Sequence, residues 1–222
     1  MVIRQRAIQA EDKQERHEAI LDAAARLLLR SPERMANMAD VADEAGLAKG
    51  TVYLYFPSKE ELLLAVHERN IDGFFAALCR RLDSPAPVTI ADILALAHEH
   101  IVEPPLFLPL AARCFGVMGQ SLPAEIAAAF KQRMVERLAA AGEGLERHFA
   151  ELAPGDGVAL LRQSYALILG LWQMYGDSGA AHVNCVPALG GAGSGVLDYS
   201  YPADLDRALL ALWNGTIGRG RR

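Results

Sequence analysis

The sequence predicts an all-α protein of about nine helices arranged in two parts, and three observations carry that reading. Apolar residues recur at intervals of three and four through most of the 222-residue chain, which is the period of a helix face. Alternating strand patterns are nearly absent. Prolines, glycines and capping residues cut the periodic sequence into helix-length pieces, and a hydrophobic content of 52% is ample for packing them.

The first helix is expected from about Lys13 to Arg30, where Ile20, Ala23 or Ala24, Leu27 and Leu28 form a buried stripe and Ser31-Pro32 ends it. A short second helix runs from Met38 to Ala45; Asn37 caps its start and Gly46 stops it in the left-handed conformation. The third occupies Lys49 to Tyr55, after which Phe56-Pro57 breaks the pattern. Ser58-Lys59-Glu60-Glu61 is a capping box opening a long fourth helix to about Leu82, with Leu62, Val66, Phe74 or Phe75, and Leu78 inward. The connector Asp83-Ser84-Pro85-Ala86-Pro87 is rigid and hostile to helix.

Beyond it, helices are expected at about Ile90 to Val102, Pro105 to Met118, Ala124 to Leu152, Val158 to Tyr175 and Ala203 to Ile217. The longest of these carries Phe130, Met134, Leu138, Leu145 and Phe149 on one side. Gly176 to Pro202 is too long for an ordinary connection and is either functional or disordered. Its glycine-rich stretch, Gly190 to Gly195, lacks the preceding strand and following helix start that a phosphate cradle needs.

Composition narrows the function. A net charge of −5 and a pI near 5.7 argue against a protein that coats nucleic acid nonspecifically. Distribution matters more than the sum: from Ala45 to Lys59 the ionisable side chains besides two tyrosines are Lys49 and Lys59, a small electropositive window in an acidic molecule. Cys79, Cys114 and Cys185 are far apart and match neither a disulfide framework nor a zinc spacing, which fits a reducing cytoplasm. Arg4, Arg6, Glu11, Asp12, Lys13, Glu15 and Arg16 have no apolar run behind them, so a secretory signal is not expected. Apolar stretches such as Tyr165 to Trp172 fall well short of the roughly 20 residues of a membrane span. His98-Glu99-His100 does not invite a metal, because residues two apart on a helix do not share a face. No metal or cofactor is expected, and no nucleophile stands beside a base in a recognisable catalytic motif, so the chain does not read as an enzyme.

Two short helices joined through Gly46-Leu47-Ala48 are what a helix-turn-helix requires. Val41, Ala42 and Ala45 face inward on the first of the pair, with Leu47 in the turn and Val52 and Phe56 on the second. Lys49, Gly50, Thr51, Tyr53, Leu54 and Tyr55 remain outward, a donor-rich and aromatic set on a very short helix. The run from Met38 to Leu62, together with Ile20 to Leu28 before it, resembles the DNA-binding signature of the TetR family of transcriptional regulators. The resemblance covers Lys13 to Val66.

It implies a helix-turn-helix DNA-binding domain over residues 1–62 and a helical ligand-sensing and dimerisation domain over 63–222. It also implies a repressor, acting as a homodimer on a palindromic double-stranded DNA operator and released by a small-molecule effector; an activator or protein-responsive regulator of the same fold is the alternative. Thr51, Tyr53 and Tyr55 match positions that touch phosphates or base edges, Lys49 and Gly50 sit at the start of the recognition helix, and Lys59 matches a phosphate-contacting lysine. Leu54 is placed to pack on a thymine methyl. Asn37 serves as a helix cap, with or without a contact to DNA, and Tyr53 and Tyr55 also read as packing residues. Ala48 stands where the family often has serine, so that cap hydroxyl is missing, and Leu54 replaces a frequent aromatic.

In the second part, Phe107, Phe115, Met118, Phe130, Met134, Tyr165 and Trp172, with His100, Arg113 and Gln163 as polar fixtures, have the make-up of a ligand pocket and equally of a core. Ala166 with Gly170, and Ala211 with Gly215, are small pairs four apart, and Trp213 adds apolar area. The resemblance places the final helices in a dimer interface, and packing within one chain accounts for the same residues.

Overall fold

Helix ends in this chain are set mostly by local chemistry, and the ends locate the functional elements. A computed structural model describes residues 2–31, 37–117, 121–175 and 201–219, with side chains over 12–31, 37–114, 121–174 and 201–218. The helices are α1 (Val2–Arg30), α2 (Met38–Ala45), α3 (Lys49–Tyr55), α4 (Lys59–Leu82) and α5 (Ile90–Ala97), the last running into a π-helical turn (His98–Val102). After them come α6 (Phe107–Val117), α7 (Ala124–His148), α8 (Asp156–Tyr175) and α9 (Tyr201–Arg219); no strand occurs among the described residues. The glycine-rich stretch and Cys185 lie outside them.

Several boundaries differ from the sequence reading. The first helix begins at Val2 rather than near Lys13, because residues 2–30 contain neither proline nor glycine and are rich in strong helix formers. The expected helix to Val102 changes register at His98, where the Glu103 N–H donates five residues back to the His98 carbonyl at 2.9 Å. The long helix stops at His148, four residues early, because Phe149 turns to extended backbone and packs edge-on against Trp213. Thr89 and Asp92 form a complete capping box that the sequence reading passed over. At Ser58 half of the expected box forms: its Oγ accepts from the Glu61 N–H at 3.1 Å, while the Glu61 carboxylate takes the Ser58 hydroxyl. The Asp83–Pro87 connector is tied back by Arg81, which donates to the carbonyls of Ala86 and Pro87 and to Asp92.

The buried side chains divide into two clusters. The head core gathers Ile20, Ala24 and Leu28 of α1, Val41 and Ala42 of α2, Val52 of α3, Phe56, and Leu62, Leu63 and Val66 at the start of α4. Leu110, from the middle of α6, completes it, with Leu106 packed alongside. The second core takes Leu64 from the opposite side of the same turns of α4, continues along that helix from Ile71 and is closed by α5 through α9. So α4 and α6 each contribute to both cores, and Phe107 belongs to one while its neighbours Leu106 and Leu110 belong to the other.

Ion pairs brace the same joints. Arg26 and Arg30 hold Glu44 across α1 and α2, and Arg69 of α4 reaches Asp22 of α1 at 2.6 Å. Glu68 of α4 accepts from Arg133 and Arg137 of α7. Burial raises the Glu68 pKa, but the two guanidinium groups outweigh it and hold the carboxyl below its usual range. Where α7 meets α8, the backbones nearly touch: a Cβ added to Gly157 would lie 2.3 Å from the Gly142 carbonyl oxygen.

Candidate nucleic-acid interface and apolar cavity

The recognition helix is positioned by contacts readable one residue at a time. Asn37 has extended backbone, and its side-chain oxygen accepts from the N–H groups of Ala39 and Asp40, each at 2.9 Å. Gly46 closes α2 at φ +66°, a conformation that favours glycine, and the Leu47 N–H returns to the Ala42 carbonyl at 2.9 Å. The chain then re-enters a helix at Ala48, which has no side-chain cap, its carbonyl accepting from the Thr51 N–H at 2.8 Å. Val52 is fully buried and Phe56 nearly so, and together they fix the face that α3 turns inward.

What α3 turns outward follows from that. Lys49 and Gly50 are exposed, Tyr53 is 42% and Leu54 85% accessible, and Thr51 is half-buried. An apolar side chain as exposed as Leu54 gains nothing from the chain's own packing. Among the described residues nothing lies within 4 Å of a Cβ built on Gly50, so no packing among them requires glycine there. The Lys49 ammonium stands 5.9 Å above the Tyr53 ring, leaving the aromatic hydroxyl and the cation on one surface. Tyr55 is half-buried, packs against the head core and has its ring near His17 of α1. Lys59 is exposed at the first turn of α4, beside Glu60 at 3.7 Å, and Asn37 is exposed at the start of α2.

The second core encloses a cavity of about 470 Å³, within the roughly 300–1,000 Å³ of small-molecule sites. Its walls come from α4 through α9, with Phe74, Ile101, Phe107, Phe130, Ile168 and Trp213 among the buried side chains. Phe107, Phe130, Met134 and Tyr165, four of the ten residues read as pocket candidates, line it. Burial holds the Tyr165 hydroxyl above the usual tyrosine range, so it stays protonated.

Other candidates fall elsewhere. Gln163 is exposed, His100 is half-buried beside Glu99, and neither they nor Arg113 and Trp172 line this cavity, because their positions on α8, the π turn and α6 turn them away from it. The Phe115 side chain and Met118 lie outside the described residues. Trp213, read as an interface residue, is instead 1% exposed: its indole N–H donates to Ser164 Oγ at 2.9 Å, and its ring forms cavity wall. Ala166, Ala211 and Gly215 are exposed, and a Cβ on Gly170 or Gly215 would meet nothing within 4 Å among the described residues, so neither glycine serves packing among them. The sequence reading missed Lys131 and Arg162, which border the cavity. Both were findable as cations at helical spacing from apolar residues, Lys131 before Met134 and Leu138, Arg162 before Tyr165.

A glycine-stopped two-helix turn that presents a short, donor-bearing helix to solvent defines a helix-turn-helix DNA-binding protein. Residues 20–66 match the description of bacterial regulatory proteins of the tetR family, and residues 68–219 match the tetracyclin repressor-like C-terminal domain. The chain therefore belongs to the TetR family of transcriptional regulators, which bind DNA and are not enzymes.

An HTH-type transcriptional regulator of Bacillus subtilis, YfiR, is 37% identical over 76 residues, 34% of this chain and 35% of its own length. The HTH-type transcriptional activator FasR of Mycolicibacterium smegmatis is 34% identical over 70 residues, 32% of each chain. The matched stretch thus spans about a third of these curated relatives. A crystal structure assigned to the TetR family, from Mesorhizobium loti, shares the fold with a TM-score of 0.59 at 17% identity, over 92% of this chain and 96% of that one. No described helix is long and apolar enough to cross a membrane.

Proposed function

We propose that the chain is a ligand-released repressor that binds a palindromic operator as a homodimer, with residues 1–62 as the DNA-reading head and 63–222 as the sensing and dimerising part. The observation that carries it is α3, whose inner face is locked by Val52 while Lys49, Gly50, Tyr53 and Leu54 stand free to enter a major groove. Thr51, Tyr55, Lys59 and Asn37 flank that surface and supply donors to the phosphate backbone. The exposed small residues Ala166 on α8 and Ala211 and Gly215 on α9, with Gly170 half-buried and Leu210 and Met174 also exposed, support an interface between two copies there. A protein that reads chromosomal operators works in the cytoplasm.

The cavity would hold the effector, and α6 supplies a direct link to the head, since Phe107 is cavity wall and Leu110 is head core. A ligand that binds one arrangement of α6 better than another shifts the head by that difference in affinity, and operator and ligand then oppose each other reciprocally. Selection from a random DNA pool should recover a near-palindrome, with a mass in solution of two chains. Thr51→Ala and Tyr55→Phe should weaken operator binding without changing that mass. Recovery of no enriched sequence would remove the operator reading. An activator is the second reading, favoured by the description of the M. smegmatis relative as an activator; a promoter reporter gives the sign.

A further inference from the structure

The cavity has an asymmetry of chemistry that limits what it accepts. Its interior surface is aliphatic and aromatic, and the most exposed lining residues are Lys131, Val135 and Arg162, which put the solvent-facing side of the cavity between α7 and α8. Among the described residues no aspartate or glutamate borders it. A polar body placed inside would lose its water and find few partners, since the Ser164 oxygen already takes the Trp213 N–H. An apolar body loses nothing.

The solvent-facing side behaves differently. In a chain of net charge −5, neighbouring cations on α7 are committed: Arg133 pairs with Glu68, and Arg137 with Glu68 and Asp72. Lys131, one turn before Met134 on the cavity side, and Arg162 across on α8 have no carboxylate within 4 Å among the described residues. Both cations on that side are therefore available, and any positively charged group brought there meets like charge.

We propose that the cavity takes an amphiphile with an apolar body and one anionic head, the body among Phe107, Ile168 and Trp213 and the head at the rim on Lys131 and Arg162. This rests on the reading of the cavity as the effector site. Carboxylate and phosphate heads share the required chemistry. Arginine offers a planar fork of donors to either, and lysine a point charge.

The test is calorimetric titration of the full-length protein with four ten-carbon probes below their micelle concentrations: decanoate, decyl phosphate, decanol and decyltrimethylammonium. Decanoate or decyl phosphate, whichever head the site favours, should bind at least about tenfold more tightly than decanol, and the ammonium should be weakest. Lengthening from octanoate to decanoate should tighten binding by about fourfold per methylene. K131Q/R162Q changes two exposed side chains, so the fold is kept; it should lose about tenfold for the anionic probe while decanol stays within about twofold. Equal affinity for anionic and neutral probes, an unaltered preference in the double variant, no dependence on chain length, or no binding of any probe would each overturn the proposal. Operator affinity measured alongside separates the two readings: an anion preference without DNA release overturns release alone, and release by decanol as readily as by decanoate overturns the anionic head alone.

Discussion

The imidazole of His67 meets the ring of Phe107 edge-on, with centroids 5.1 Å apart and planes at 74°. His67 is 3% exposed on α4, and its Nδ1 is buried with no hydrogen-bond partner among the described residues. Phe107 is cavity wall. The contact therefore joins the helix that carries the head core to the helix that borders the cavity, through a ring that is stable there in its neutral form.

Acid should loosen this joint. Burial pushes the His67 pKa down to about 4 from an ordinary 6.5, despite the opposing pull of Glu68. The unfolded chain thus binds the proton first, and the stability held above pH 6.5 is lost as pH falls toward 4. Between pH 7 and pH 5 the loss from this group is about 2 kcal/mol. Denaturant titrations should show it, and His67→Leu should flatten that limb. The Glu68 carboxyl, held below its ordinary 4.5, adds a separate loss at still lower pH.

Gly50 allows stability and DNA binding to be pulled apart. Since its Cβ position is empty and its backbone is helical, Gly50→Ala should stabilise the protein by about 0.4–1 kcal/mol. If α3 enters a groove at this point, the same methyl should weaken operator binding by about tenfold. A thermal melt and a gel-shift titration on one preparation decide it. Unchanged affinity would take Gly50 out of the interface.

Leu110 lies on α6 and is 1% exposed inside the head core. Leu110→Ala should cost about 2–5 kcal/mol and speed hydrogen exchange in α2 and α3, although the substitution is outside both. Leu161→Ala, in the other core, should cost a similar amount and leave the head amides slower to exchange than Leu110→Ala does. Identical exchange maps would mean that the two cores open together.

Glycine positions separate packing within the chain from packing between copies. Gly157→Ala drives a methyl onto the Gly142 carbonyl and should cost about 1–3 kcal/mol or more by prising α7 from α8. Gly170→Ala and Gly215→Ala meet nothing within 4 Å among the described residues of one chain. A shift toward lower mass in either of those variants, seen by light scattering, would place that glycine against a second copy; no shift would leave the surface without a role in assembly.

The head was legible in the sequence because its signals are local. Asn37 caps, Gly46 takes the left-handed turn and Pro57 breaks the helix, each within a few residues of its effect. Val52 as the inward residue of α3 followed from spacing alone. Membership of the cavity was not legible in that way. Trp213 and Trp172 look alike in a helical pattern, and burial in the second core decides which becomes wall. The π turn at His98 and the close crossing at Gly157 also depend on partners distant in sequence, as does the division of α6 between two cores.

That division bears on how such regulators are recombined. A head excised after Val66 and fused to another sensor leaves Leu110 behind, and with it the side chain that seals one wall of the head core. A chimera built at the sequence boundary inherits a hole, and its failure to repress would be mistaken for a wrong operator. Carrying Leu106 and Leu110 into the recipient's sixth helix makes the graft a transfer of a whole core rather than of a segment.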